Sequence, residues 1–248
     1  MGRALADVLA EREDASVVAA YDRPDVMGQT VGGLALETAQ AALAASDVVI
    51  DFSTAAASAE VARLAAAAAR AALVIGATGW TLDQEAAVAE AARKVAIVKS
   101  GNYSLGVNVL AGLVEEAARR LSAADWDIEI SEAHHHRKVD APSGTALMLG
   151  EAAADGRGVG LRQVEVRARD GVTGPRPQGA IGFASLRAGG IVGEHTVMFA
   201  SEEEVLTLSH SARDRKLFAR GAVAAALWVG GKPPGLYDMK DVLGFRGS

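Results

Sequence analysis

The 248-residue chain has no cysteine, which excludes disulfides, thiolate nucleophiles and cysteinyl metal centres together. Positive charge is in deficit: 25 Lys and Arg stand against 31 Asp and Glu, a formal net charge of -6. Binding to nucleic acid or to an anionic membrane through a basic face is therefore not expected, although a local basic pocket remains open. Long apolar runs are missing as well. None approaches the roughly 20 residues that span a bilayer, and the opening MGRALADVLAERED turns acidic too early to resemble a signal peptide. What is present is a globular composition, 50% hydrophobic and 23% charged, in a chain long enough for two small domains or one large one. A soluble, cytoplasmic protein is expected.

Two patterns divide the chain. In the first, short apolar strands alternate with helices. Residues 2–13 set Leu5, Val8 and Leu9 on one helical face. VVAAY (17–21) reads as a strand closing at Asp22-Arg23-Pro24, DVVIDFS (47–53) as a buried strand, and the alanine-rich 55–71 as a helix. ALVIGATG (72–79) and VAIVKSGN (95–102) read as strands running into turns. Thr81, with Gln84 three residues on, forms a capping box for a helix over 82–94. Strands apolar on both faces and separated by helices predict an α/β, Rossmann-like domain built on a covered parallel sheet.

The second pattern has a helix near 107–121, the alternating strand WDIEISE (126–132) and a helix near 144–155. Short segments QVEVRA, AIGFASLRA, EHTVMFA and EVLTLSH follow, the last two spaced as a hairpin. It predicts a central α+β domain with an open mixed sheet. A last helix, 214–228, spaces Leu217, Phe218, Val223 and Leu227 as one helical face. The predicted division is 1–104 with 215–248 for a dinucleotide-binding domain, and 105–214 for a substrate-binding and oligomerisation domain.

In a dinucleotide-binding unit a glycine-rich turn joins the first strand to a helix whose N-terminus holds the pyrophosphate. An acidic residue about 20 positions on takes the ribose hydroxyls. Here the chain opens at Met1-Gly2-Arg3, already at a helix start, and Asp22 follows Gly2 by 20 positions. Arg23 beside it could fork onto a 2′-phosphate, so the pair would admit NADH or NADPH; the same residues also read as a solvated turn. Gly76-Ala77-Thr78-Gly79 and Ser100-Gly101-Asn102-Tyr103 each follow a buried strand, where ligands of open parallel sheets bind. Ordinary strand-to-helix turns are rich in glycine too.

The densest constellation is Glu132-Ala133-His134-His135-His136-Arg137-Lys138-Val139-Asp140-Ala141-Pro142-Ser143-Gly144-Thr145-Ala146. It concentrates three of the five histidines and two further cations in an acidic protein. After a strand, such a loop suits an anionic small substrate. Histidine moves protons near neutral pH, a lysine among cations has a lowered pKa, and the helix entry at Ser143-Gly144-Thr145 can hold a carboxylate. Two other readings stay open: a solvated basic loop, or a metal site. Consecutive histidines on an extended chain point to alternate sides, and there is no H-E-x-x-H helix.

EAHHHRKVDAPSGTA (132–146) closely resembles the E-x-H-x-x-x-K-x-D-x-P-S-G-T-A motif of the 4-hydroxy-tetrahydrodipicolinate reductase family. VIGATGW (74–80), GNYSLGVNVL (101–110), GFASLRAGGIVGEHTVMF (182–199), the 215–228 helix and GLYDMKDVLGF (235–245) are similar to further family segments. The resemblance implies a step of lysine and diaminopimelate biosynthesis, in which NADH or NADPH reduces a cyclic imine dicarboxylate with loss of water. It implies a Rossmann-like domain completed by the C-terminal segment, and a central domain that builds a homotetramer through its sheet. It makes His134 the proton donor and acceptor and Lys138 a second proton donor. His135, Ser143, Gly144, Thr145 and Arg215 become substrate contacts. Met1, Asp22, Arg23, Gly76, Ala77, Thr78, Ser100, Gly101, Asn102 and Tyr103 become cofactor contacts. No metal is implied, and hinges are expected near Ser104 and Arg215.

Family members open with a strand and a G-x-x-G-R-M-G turn, of which Met1-Gly2-Arg3 matches the end. Roughly 15 residues of a usual βα unit would precede it. Without them the neighbouring strands are expected to lack a ladder partner. A dicarboxylate-binding protein without reductase activity and a metal-dependent hydrolase are the alternative readings.

Overall fold

The computed structural model describes residues 1–246. In chain order they form α1 (Gly2–Ala10), β1 (Ala20–Tyr21), β2 (Thr30–Val31), β3 (Leu34–Glu37), α2 (Ala39–Ala45), β4 (Val48–Asp51), α3 (Ala55–Ala68), β5 (Ala72–Ile75), α4 (Leu82–Ala91), β6 (Ala96–Lys99) and α5 (Leu105–Arg120). The chain continues through β7 (Asp127–His134), α6 (Gly144–Arg157), α7 (Leu161–Val164), β8 (Glu165–Val166), β9 (Ile181–Arg187), β10 (Gly193–Ala200), β11 (Val205–Ala212), α8 (Lys216–Val229), β12 (Gly235–Tyr237) and α9 (Met239–Val242). Two compact units result: Met1–Leu105 with the segment from Lys216 onward, and Gly106–Arg215.

In the first unit β12, β6, β5 and β4 pair in that order, all parallel. Strand parity sorts the apolar side chains into two cores. Leu73, Ile75 and Ile97 face Leu43, Val61, Ala62, Ala65, Val88 and Ala91 of α2, α3 and α4. Val74, Ala96 and Val98 face Leu5 and Val8 of α1 and the small residues of α8. Residues apolar on both faces are what a sheet covered by helices on each side demands. The capping box at the start of α4 is complete: Thr81 Oγ1 accepts the Gln84 amide, and Gln84 Oε1 accepts the Thr81 amide.

Two expectations for this unit change. Of VVAAY only Ala20 and Tyr21 form a strand, pairing in parallel with β3 in a separate sheet ordered β1, β3, β2. β1 has no ladder to β4, which forms an edge of the parallel sheet, and Val18 is 54% exposed because no strand pairs with it. In α8 the buried face is Ala219, Gly221, Ala222, Val223, Ala225 and Val229, whereas Leu227 is 42% exposed. Small residues prevail because the helix lies nearly on the backbone beneath it: a β-carbon on Gly221 would stand 1.6 Å from the Tyr103 carbonyl oxygen.

The second unit carries a mixed sheet ordered β11, β10, β7, β9, β8. β10 is antiparallel to β11 and β7, forming the expected hairpin with β11, while β7 and β8 run parallel to β9. Its inner face buries Ile128, Ile130, Ile181, Phe183, Val197 and Phe199 against Leu149 and Ala153 of α6 and Leu110 and Val114 of α5. Burying one such aliphatic or aromatic side chain contributes about 1.5–3 kcal/mol. QVEVRA, expected as a strand, is the helical turn α7 followed by two strand residues, because only Glu165 and Val166 reach β9. Register matters most near the ends of the strands. Glu132 lies opposite both His195 and Ser185, and His195 lies opposite His210.

The close approach at Gly221 yields a test. Alanine favours helix over glycine by about 1 kcal/mol, but a backbone clash in a packed core costs about 1–3 kcal/mol or more. Gly221→Ala is expected to lower the urea unfolding midpoint. An unchanged or higher midpoint would contradict this packing.

Candidate active site

In the first unit the carboxyl ends of β4 and β5 open into a cleft of about 580 Å³ lined by residues 52–56 and 76–79 with Thr81 and Gln84. Asp51 turns the chain by accepting the Ser53 amide (2.8 Å), and Thr54 caps α3 through the Ala57 amide. The 14-residue α3 thus aims its N-terminus, the positive end of its dipole, at the cleft. Gly76 has no room for a side chain, since a β-carbon would meet the Phe52 ring at 2.3 Å, and Gly79 has a left-handed φ of 77°. Backbone, small residues and a helix N-terminus are the fittings of a phosphate- and nucleotide-binding cradle. The second turn is adjacent, a Gly101 β-carbon standing 3.7 Å from Thr78 Cγ2.

Within that second turn the groups bond one another. Ser100 Oγ donates to the Asn102 carbonyl and accepts its amide, and Asn102 Oδ1 accepts the Ser104 amide. The Tyr103 side chain is buried, with the hydroxyl 2.9 Å from the carbonyls of both Ile75 and Val98, so it ties two strand ends together. Asp22 Oδ1 accepts the Arg23 amide, and Asp22 and Asp25 flank the exposed Arg23 guanidinium at 4.0 and 3.6 Å. Met1 immediately precedes α1.

The second unit assembles the histidine loop around Glu132, whose side chain is 1% exposed. Oε2 stands 2.5 Å from His134 Nδ1 and 2.8 Å from an Arg187 nitrogen. Oε1 accepts the other Arg187 nitrogen at 2.7 Å and the Ser143 amide at 3.2 Å. Burial works to raise the Glu132 pKa, but hydrogen bonds from Arg187, Ser185 and His134 outweigh it and hold the carboxyl at about 2. His195 stacks edge-on to His134, with ring centroids 5.1 Å apart, and its Nε2 lies 3.1 Å from Ser143 Oγ. Burial first, and then the charge of His134, push His195 down to about 4, so its ring is neutral at physiological pH. His210 is also lowered by burial.

His135 lies near Arg137 and Arg215; burial and then these two charges lower its pKa. Lys138 departs from the sequence argument. Its ammonium sits 2.8 Å from Asp140, so an anion is its partner, and the hydrogen bond from Lys138 holds the Asp140 carboxyl low. Ser143 is buried; its hydroxyl caps the Ala146 amide and meets His195, and its amide serves Glu132. Gly144 and Thr145, the first residues of α6, stand at the N-terminus of a 14-residue helix. The structure thus places His134 at the end of β7, Lys138 on the loop that follows, Ser143 as the cap of α6 and Gly144 and Thr145 in its first turn, and brings His135 near Arg215. Sequence reasoning gave no role to Arg187, His195 or Glu132. For Glu132 the signal was present, a carboxylate two residues before His134 on one strand face. Ser53 and Thr54, directly after a buried strand, carried a comparable signal.

Two family models cover this chain: dihydrodipicolinate reductase, N-terminus, over residues 1–103, and dihydrodipicolinate reductase, C-terminus, over 106–243. The 4-hydroxy-tetrahydrodipicolinate reductase of Caulobacter vibrioides is 62% identical over 246 residues, covering 99% of this chain and 94% of that protein. The enzyme of the same name from Rhizobium rhizogenes is 53% identical, covering 98% and 93%. Among solved structures, a dipicolinate-bound dihydrodipicolinate reductase from Paenisporosarcina superposes with a TM-score of 0.80 at 22% identity, covering 97% of this chain and 94% of that one. A probable dehydrogenase from Thermotoga maritima shares the fold at a TM-score of 0.60 and 11% identity, covering 98% and 90%. The histidine–lysine loop, the two-unit α/β fold and these matches agree, and the chain belongs to the dihydrodipicolinate reductase family.

Proposed function

We propose that this chain reduces 4-hydroxy-tetrahydrodipicolinate to tetrahydrodipicolinate with loss of water, using NADH or NADPH. The observation that carries this reading is the 62% identity with the Caulobacter enzyme across nearly the whole chain, and the paired His134 and Glu132 supply suitable chemistry. The dinucleotide belongs to 1–104 with 215–248, at the cleft beyond β4 and β5, where residues of the Gly76 and Ser100 turns with Asp22 and Arg23 would hold it. When bound it supplies the hydride. The cyclic substrate belongs to 105–214.

The protein's own tasks follow from the substrate's charge and protons. A dianion needs compensating positive potential. The α6 N-terminus at Gly144 and Thr145 takes one carboxylate, and His135 with Arg215 takes the other. Departure of the hydroxyl as water takes a proton at that oxygen while the neighbouring ring carbon gives one up to form the conjugated double bond, and hydride addition then leaves an electron pair on the ring that takes a proton, so that one proton is consumed overall. His134, at the end of β7, and Lys138, on the loop that follows, are the groups that move these protons. The exposed apolar side chains Leu186, Met198 and Val205 on β9–β11 are the surface through which copies of the chain would form a homotetramer. No helix among the described residues is long and apolar enough to cross a membrane, in keeping with action in the cytoplasm.

Two measurements test this reading. His134→Gln is expected to lower kcat in an NAD(P)H-oxidation assay with freshly generated substrate by about 100-fold or more; a rate equal to the unaltered protein would remove His134 from proton transfer. Arg23→Ala is expected to weaken NADPH binding about tenfold, the loss of one charged hydrogen bond, while leaving NADH unchanged. Equal effects on both cofactors in a fluorescence titration would contradict the assignment of Arg23 to the 2′-phosphate.

A further inference from the structure

Glu132 is bonded on every side by donors. One carboxylate oxygen meets His134 Nδ1 and Arg187, and the other meets Arg187 and the Ser143 amide. An ionised carboxylate only accepts hydrogen bonds, so the His134 nitrogen that faces it must carry the proton whether the ring is neutral or charged. The other ring nitrogen, Nε2, lies beside Gly193, where a β-carbon would stand 3.2 Å away. Glycine at that position keeps a side chain off this atom.

We propose that Glu132, held by Arg187 and the Ser143 amide, is a positioning residue that fixes the His134 proton on Nδ1 and makes Nε2 the atom that exchanges protons with substrate. The proposal rests on the reading that His134 is the proton donor and adds which atom acts and what enforces it. The charged and titratable groups around the ring come from every neighbouring element. Glu132 on β7 meets Nδ1, and Arg187 on β9 meets the same carboxylate. His195 on β10 and His210 on β11, both lowered by burial, add no competing cation at neutral pH. On the loop, Lys138 is paired with Asp140, and His135 lies toward Arg137 and Arg215.

Glu132→Gln replaces a group that only accepts hydrogen bonds with an amide that can also donate, so the His134 proton is no longer confined to Nδ1. A residue that merely supported the fold would not change which ring nitrogen carries the proton. For Glu132→Gln the expected fall in kcat is about 10- to 100-fold with little change in KM.

The decisive experiment combines three readings on the full chain, with circular dichroism to check folding. Long-range proton–nitrogen NMR of ¹⁵N-histidine-labelled unaltered protein, taken above the ring's titration, is expected to show protonated Nδ1 and bare Nε2. The opposite tautomer overturns the proposal without any variant having to fold. Glu132→Gln added to His134→Gln is expected to cost little further rate; a full additional loss overturns it. A His134→Gln variant as fast as the unaltered protein would overturn the proton-donor reading itself, and is thereby told apart from a failure confined to Glu132.

Discussion

The second unit depends on one buried carboxylate. Glu132 is buried, and the hydrogen bonds from Arg187 to both oxygens, with those from His134, Ser143 and Ser185, keep its carboxyl ionised. Removing one partner of a buried pair costs about 3–5 kcal/mol, a large fraction of the about 5–15 kcal/mol by which a domain is stable. The members of this network come from β7, β9 and the loop before α6, so the charge arrangement also fixes how that loop leaves the sheet. The α6 N-terminus and the two residues expected to receive substrate at it, Gly144 and Thr145, are set in place by the same bonds that orient His134.

The two units solve opposite problems with one rule of strand parity. In the first, Leu73, Val74 and Ile75 are all buried, successive side chains entering different helical cores, and the strand ends present backbone and small residues. That surface suits a cofactor recognised through phosphates and ribose, where close approach matters more than charge. In the second, parity places Glu132, Ser185, His195 and His210 on one register line. The apolar core ends there and a polar cluster begins. Three histidines crowd the cluster: His134 paired to an anion, His195 and His210 neutralised by burial. Identical side chains thereby receive different tasks from their surroundings alone.

Much of this was legible in the chain. Buried strands such as ALVI and AIVK, the capping box at Thr81, the hairpin and the histidine loop follow from periodicity and short-range chemistry. The resemblance of residues 132–146 pointed to the family that the comparisons then established. What escaped required partners distant in sequence. VVAAY has strand propensity along its length, yet only Ala20 and Tyr21 found a ladder partner. The α8 face was misread because large residues are the usual mark of burial, whereas contact with the Tyr103 backbone selects Ala and Gly. The polar atoms of Ser143 and Tyr103 serve His195, Glu132 and two strand carbonyls, partners that no local pattern announces. Arg187 lies 55 residues from Glu132 along the chain, and no local pattern announces that pairing.

Glu132, its carboxyl held at about 2, is ionised at neutral pH. Isotope-edited infrared spectroscopy, taking the difference between the unaltered protein and Glu132→Gln, reads that ionisation directly. With the carboxyl held near 2, the carboxylate band should persist from neutral pH into the acid range where ordinary glutamates have already taken up protons. A protonated-acid carbonyl band at near-neutral pH would contradict the account, because a carboxyl that keeps its own proton no longer dictates which nitrogen of His134 carries one.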